Sequence, residues 1–431
     1  MRALILGLAL IAAGPAFAAE PPKVDWSKVP AKVVKLFYPG QASYQWTRSA
    51  DHKKADKKVQ AGTACLECHE GEEADIGDKI AAGKRHETLK LDGKAGTVDL
   101  SVQAAYDAKN VYWRFQWKTK NPYPGDTYTQ YRFDGKEWKP YGKMRLTKEV
   151  QEGTQPPIYE DRLTIMLDDG KVPMFAEQGC WLTCHNGMRD MPEEAKKEQI
   201  EAVPLLAKRA DIRKYLPSTR TDALATWNKA KTAEEVAKLK ADGQFVDLMQ
   251  WRAARSNDVG MADDGYVLEY RNFDEGKNMF GSNLGDNKQP KFMFDAAKVG
   301  VKALTADKLR DPKMPHVLVK GQNAVPFDAN AGWKEGDLLP AVVVGRADAT
   351  GSAADNATAI GEWKGGQWTV VWARPLDTGH PQDDKVLKAG GVYTVGLAVH
   401  DDNMTGRGHF VSFPQKLGLG VKADIQAVEL K

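Results

Sequence analysis

The sequence predicts a mainly β protein with some α: a β-sandwich carrying a helical insertion, preceded by a small module of short helices and loops. Three observations lead there. Apolar and polar residues alternate with period two through Val98-Asp99-Leu100-Ser101-Val102 and Val111-Tyr112-Trp113-Arg114-Phe115-Gln116-Trp117. Runs of β-branched and aromatic residues bounded by glycine return late, at Ala341-Val342-Val343-Val344, Trp368-Thr369-Val370-Val371-Trp372 and Val392-Tyr393-Thr394-Val395-Gly396-Leu397-Ala398-Val399. Between these two sets the period becomes helical, over residues 190–250.

Residues 1–19 read as an export signal. Arg2 supplies the positive start, Ala3 to Ala13 the apolar stretch, and Ala16-Phe17-Ala18 a small-x-small cleavage site. Cleavage near Ala18 would release the mature chain into an oxidising compartment, the periplasm. The apolar stretch is too short to span a bilayer, and no later segment approaches the roughly 20 apolar residues of a membrane helix. The protein is therefore expected not to be integral to the membrane.

Residues 20–95 are polar and show little apolar periodicity, so this module is expected to be helical and loop-rich, with a bound group supplying its core. The sandwich domain is expected over residues 96–431. Asp107-Ala108-Lys109-Asn110 makes a turn between its first two strands. Arg162-Leu163-Thr164-Ile165-Met166-Leu167 is a further strand, running into the turn Asp168-Asp169-Gly170. In the insertion, Leu205, Ile212, Tyr215 and Leu216 suggest one helical stripe, and Val236, Leu239 and Val246-Asp247-Leu248-Met249-Gln250-Trp251 another. Pro192-Glu193-Glu194 resembles a helix start. Residues 272–335 read as long connections, and Gly365-Gly366 between Trp363 and Trp368 marks a hairpin.

Chemistry enters with the cysteines. All four lie in pairs that end in Cys-His: Cys65-Leu66-Glu67-Cys68-His69 and Cys180-Trp181-Leu182-Thr183-Cys184-His185. With eight histidines in 431 residues, both closing cysteines precede histidine by chance in (8/431)², roughly 3 cases in 10,000. The first pair is the c-type haem attachment pattern, in which two thiols add across the haem vinyl groups and the histidine ligates iron. The second has one more residue between its thiols, which share a face if the segment is α-helical. At the first pair a disulfide leaves His69 without a role, at the second a disulfide stays the plain alternative, and a four-ligand zinc site fits poorly with an exported chain. Two covalently bound c-type haems are expected, attached at Cys65 and Cys68 and at Cys180 and Cys184, with His69 and His185 as iron ligands.

Each iron has a sixth position. His52 and His86 flank the first motif; His400 and His409 lie around the turn Asp401-Asp402-Asn403-Met404-Thr405-Gly406; methionines also qualify. Spacing alone does not choose among them. Charged residues form 28% of the chain with both signs mixed and a net charge of +3, which argues against a nucleic-acid partner. No Gly-rich nucleotide loop or serine-nucleophile elbow occurs.

Several segments resemble a known family: residues 172–185, Met249-Gln250-Trp251-Arg252-Ala253-Ala254-Arg255, the stretch from Gly260 to Gly265, and Gly406-Arg407-Gly408-His409-Phe410-Val411-Ser412. They are similar to the haem-binding domain of the ethylbenzene dehydrogenase gamma-subunit type, in its c-type cytochrome branch. The resemblance covers roughly residues 96–415. It implies a β-sandwich that holds haem at the end of its sheets and shuttles electrons. Members with non-covalent haem use a methionine and a lysine as ligands, and the lysine lies in a motif similar to the one containing His409. The resemblance thus implies His409 as the partner of His185. The N-terminal module resembles those fused to this domain in periplasmic dihaem cytochromes, where a histidine in a context like Ser49-Ala50-Asp51-His52 precedes the haem motif. That implies His52 rather than His86.

The expected function is a periplasmic dihaem cytochrome c relaying electrons between a quinol-linked donor and a terminal reductase or dehydrogenase. It is expected to be an electron-transfer protein more than an enzyme, with no catalytic residue of its own. The alternative is a haem enzyme, a peroxidase or oxyanion reductase, with one iron left five-coordinate. If electrons pass between the haems, the N-terminal module should pack against the edge bearing residue 185.

Overall fold

Strand pairing organises the chain, and it begins with a strand that sequence periodicity does not reveal. The structure, a computed structural model, describes residues 23–84, 86, 93–356, 358–401 and 408–431. The predicted export signal lies outside these residues. Lys32–Phe37 pairs antiparallel with Thr97–Tyr106 on one side and with His409–Val411 on the other. His409–Val411 pairs with Val392–His400, which pairs with Gln415–Leu419. Ile425–Glu429 then runs parallel to both Gln415–Leu419 and Thr97–Tyr106, closing a six-stranded ring.

Two wings extend the ladder from this ring. One passes from Thr97–Tyr106 through Asn110–Lys118 and Gln367–Pro375 to Thr358–Lys364. The other passes from Val392–His400 through Arg162–Asp168, Val246–Arg252 and Gly265–Val267 to Arg271–Phe273. The wings meet face to face, where Trp251 packs edge-on against Trp368 at 4.9 Å and Trp117 at 6.1 Å between ring centres. Gly361 lies against the Trp251 ring so closely that a Cβ there would overlap it. Burial of these large rings supplies much of the core, and removing one such side chain costs about 3–5 kcal/mol.

The mainly β class holds. The pairing is one 13-stranded ladder running through a closed ring, together with three small sheets. Those small sheets build a second core around Trp138, Phe294, Leu304 and Leu338. Residues 272–335, read from sequence as connections, supply several of their strands, each only two or three residues long. Strands that short contain no measurable period. The glycine hairpin is present, with Gly365 and Gly366 at φ +59° and +79°, the sign a two-residue turn of this kind needs.

The helical insertion is smaller than the sequence predicts. It contains the α-helices Lys197–Glu201 and Ala233–Ala241 and the 3-10 turns Pro204–Leu206 and Pro217–Thr219. Thr232 caps Ala233–Ala241 reciprocally with Glu235. Tyr215 and Leu216 are buried outside any helix, and the start expected at Pro192 falls instead at Lys197, after Glu193 in the left-handed region. Val246–Arg252 is not helical but a fully buried central strand. A short segment with Asp247, Gln250 and Arg252 among its apolar residues fits neither period cleanly, and its burial on both faces goes with the strand.

Residues 23–84 contribute four short helices, Tyr44–Thr47, Asp56–Gln60, Leu66–His69 and Glu73–Ala81, beside the ring strand Lys32–Phe37. Among the described residues no helix is long and apolar enough to cross a membrane.

Candidate functional site

The first Cys-His motif begins a single helical turn. Cys65 caps Leu66–His69, so Cys65, Cys68 and His69, spaced three and four apart, share one face. That face lines a cleft of about 440 Å³ together with His52, Val59 and Trp181. His52 follows the Ser43-capped helix Tyr44–Thr47, and its backbone N–H donates to the Ser49 carbonyl at 3.1 Å.

The hydrogen bonds settle the tautomers of both histidines. His52 Nδ1 lies 2.8 Å from the Thr47 carbonyl oxygen, and His69 Nδ1 lies 2.8 Å from Glu72 Oε2. Both oxygens accept, so each Nδ1 bears a proton and donates, and in the neutral ring Nε2 is the nitrogen that keeps its lone pair. Metal-binding histidines are anchored in this way, through the nitrogen the metal does not use. The two rings lie 5.9 Å apart between centres, with planes inclined by 15°. Two imidazoles bound to one metal through Nε2 have centres roughly 6 Å apart: two bonds of about 2 Å, plus about 1 Å from each nitrogen to its ring centre. This donor set fits a haem held by two thiols and two histidines. His86 does not line the cleft; its ring packs on Trp46 at 3.8 Å.

The second motif is built differently. Gly179–Thr183 is a 3-10 turn, not an α-helix, so Cys180 and Cys184 do not share one face. Cys180 lines a second cleft, about 900 Å³, with Met166, Met188, His400 and His409. Cys184 accepts instead from Lys214 Nζ at 3.1 Å. His400 and His409 stand opposite each other across the strand pair, with ring centres 5.2 Å apart. His400 Nδ1 is buried with no hydrogen-bond partner, and burial, then neighbouring His409, holds its pKa well below the ordinary value. A neutral imidazole with a bare nitrogen beside a thiol is a competent metal ligand.

His185 is fully buried, and both its nitrogens are engaged. Nε2 lies 3.0 Å from the Tyr215 carbonyl and must donate to it; Nδ1 accepts from Gln45 Nε2 at 3.2 Å. Gln45 Oε1 is occupied by the Asn186 N–H at 2.9 Å, which fixes the orientation of that amide. The His185 ring stacks on Tyr215 with centres 3.8 Å apart, and burial pushes its pKa down to about 3. The structure therefore gathers Cys65, Cys68, His69 and His52 in one cleft, and Cys180, His400 and His409 in the other. It leaves His185 and Cys184 outside the lining of the second.

One short segment walls both clefts, since Trp181 faces the first and Cys180 the second. The N-terminal helices are bound to this wall. The Cys65 N–H donates to the Glu177 carbonyl, Gln178 Nε2 to the Val59 carbonyl, and the Tyr44 N–H to the Cys184 carbonyl, at 3.1, 3.0 and 2.6 Å. Phe413 lies between the parts, 6.2 Å from the His69 ring and 5.6 Å from Trp181. Sequence reasoning missed Glu72, Gln45, Tyr215 and Met188. Only Glu72, three residues after His69 in one turn, had a local signal.

A family profile described as ethylbenzene dehydrogenase matches residues 23–412 of this sequence. The chain is 26% identical to "Cytochrome c-552" of Stutzerimonas stutzeri over 418 residues, 96% of this chain and 93% of that protein. It is 31% identical to "Cytochrome c-551" of Rhodocyclus tenuis over 175 residues, 40% of this chain and 60% of that protein.

Proposed function

This chain belongs to the ethylbenzene dehydrogenase family, and from that premise we propose that it is an exported dihaem cytochrome c. In this reading it relays electrons in the periplasm between a quinol-linked donor and a terminal reductase or dehydrogenase. The names of its relatives support the cytochrome character. The observation that carries the proposal is the His52–His69 pair, 5.9 Å apart, each ring anchored through Nδ1, beside two thiols in one cleft.

Haem, when bound, supplies an iron that takes up and releases one electron. Cys65 and Cys68 would hold the first group and His52 and His69 its iron, leaving no open position for a substrate. Cys180 and Cys184 would hold the second, with His185 and His409 as ligands. For that, His185 has to give up its bond to the Tyr215 carbonyl. His400 competes for the role of His409. The wall shared through Cys180 and Trp181 supports a relay, because groups held in the two clefts would be neighbours.

Haem counting tests this directly. Pyridine haemochrome and intact mass should give two covalent haems per mature chain; one haem with a Cys180–Cys184 disulfide would sink the dihaem reading. A second reading draws on the basic lining of the larger cleft, where Arg162, Arg189, Arg213, Lys214 and Arg271 gather. Such a lining suits a haem enzyme acting on an anion, and a high-spin ferric band with steady reduction of an oxyanion would favour it.

A further inference from the structure

The two free edges of the 13-stranded ladder, Arg271–Phe273 and Thr358–Lys364, approach each other in space. Backbone bonds join the segment after the first to the segment before the second: Lys277 exchanges hydrogen bonds with Thr350, and the Ala353 N–H donates to the Glu275 carbonyl at 3.0 Å. At this junction Asp274, immediately after one edge strand, and Asp355, just before the other, meet Asp383 and Asp384 from the loop that follows Gln367–Pro375. Carboxylate oxygens of Asp274, Asp383 and Asp384 lie within 4.8 Å of one another, and those of Asp247, Asp264 and Asp384 form a second such group sharing Asp384.

The charges facing this junction are unevenly distributed. Arg374 donates to Asp247 Oδ2 at 2.9 Å and reaches Asp384 Oδ1 only at 3.8 Å. The Lys385 backbone N–H also serves Asp247, while its ammonium is engaged by Asp169 and Asp168. His380 stands 3.6 Å from Asp355 on the outer side. The Asp247 flank thus has an arginine within hydrogen-bond distance, although Asp247 Oδ1 is bare, and the Asp274 flank shows no such bond. Asp274 is 5% exposed, yet neither of its oxygens has a hydrogen-bond partner. The same holds for both oxygens of Asp355 and for Oδ1 of Asp383 and of Asp384. Several ionised carboxylates buried at this spacing without donors are strongly unfavourable unless a cation or protons join them. Burial, then the neighbouring carboxylates, pushes both Asp355 and Asp274 up.

We propose that this junction is a Ca²⁺ site, with Asp274, Asp383 and Asp384 as ligands and Asp355 beside Asp384. The bare oxygens of these three residues number four, and Asp355 beside them adds two, all from carboxylates, with no nitrogen or sulfur among them. A set of six to eight oxygens in irregular geometry suits Ca²⁺, whereas Mg²⁺ demands a near-ideal octahedron and keeps several waters. The ion clips one edge strand of the ladder to the other, far from both Cys-His motifs in sequence. It stabilises the folded chain by mass action, without requiring any change at the clefts.

The test uses the full mature protein with its native cofactors, stripped of metal with a chelator and titrated with CaCl2. Calorimetry should give one Ca²⁺ per chain, and millimolar Ca²⁺ should raise the Tm by at least about 5 °C, with the visible spectrum unchanged. Equal MgCl2 should give less than half that shift. Asp274→Asn and Asp355→Asn should weaken Ca²⁺ binding at least tenfold while the visible spectrum stays native. Should a variant fail to fold, the wild-type titration decides alone. No heat and no Tm shift with Ca²⁺, or an equal shift with Mg²⁺, overturns the assignment, as does undiminished Ca²⁺ binding in both variants.

Discussion

The two Cys-His motifs are the same chemistry in two different surroundings. At the first, the histidine is partly exposed, its Nδ1 is held by Glu72 three residues ahead, and its ring centre lies 5.9 Å from that of a second histidine anchored in the same manner. At the second, the histidine is fully buried, stacked on Tyr215 and bonded at both nitrogens, while His400 and His409 gather in the neighbouring cleft. The difference follows from what supplies each core. Around the first motif the helices are one or two turns long and bury little apolar surface, so ligand geometry is set by local bonds. The second sits inside a large apolar cluster with Phe175, Leu182, Tyr215 and Phe245, whose packing dictates where a buried ring can lie. Local bonding makes a site ready to accept a group; dense packing makes one that must rearrange to do so.

Four experiments can break or sharpen this contrast. Substituting both thiols of one motif should have the largest effect. Cys65→Ala with Cys68→Ala should halve the covalent haem count, and Cys180→Ala with Cys184→Ala should remove the other half. Loss of both haems from either double variant would show that the sites are not independent.

Ligand deletion comes next. His52→Ala should convert one low-spin centre to high spin, while His86→Ala leaves the spectrum alone. His409→Ala should do the same to the other centre; if His400→Ala does so instead, the second pair has to be reassigned. The third effect is on stability. Gln45→Leu leaves His185 Nδ1 and the Asn186 N–H without their buried partner, which should cost about 1–3 kcal/mol in chemical denaturation. An unchanged midpoint would mean that the His185 environment holds without Gln45. The smallest expected change is electrochemical. Glu72→Gln removes the anion that enriches the His69 imidazole, so the potential of the first centre alone should rise, by tens of millivolts at most.

Legibility in the sequence divides along the same line. The strands 98–102, 111–117 and 368–372 announce themselves because each has one face on the core, 392–399 does so as a β-branched run bounded by glycine, and the paired glycines Gly365 and Gly366 mark a hairpin. Lys32–Phe37 escaped notice because its partners lie at 97–102 and at 411, and pairing that distant leaves no local trace. Val246–Arg252 was assigned the wrong period because burial on both faces erases alternation. The first cleft was readable through spacing, with resemblance rather than periodicity pointing to His52. The surroundings of His185 depend on Gln45 and Tyr215, which lie 140 and 30 residues away, and no motif reports them.

The six-stranded ring also sets an order of events. Lys32–Phe37 takes one neighbour from His409–Val411, and the last gap is filled by Ile425–Glu429. An emerging chain can hold the early strand for a long time, but it cannot complete the ring until those final segments are available. By then Cys180 and Cys184 are buried, whereas Cys68 remains at the surface. Any enzyme that must grip the second motif to modify it therefore has to act before the ring closes, whereas the first motif keeps Cys68 within reach afterwards.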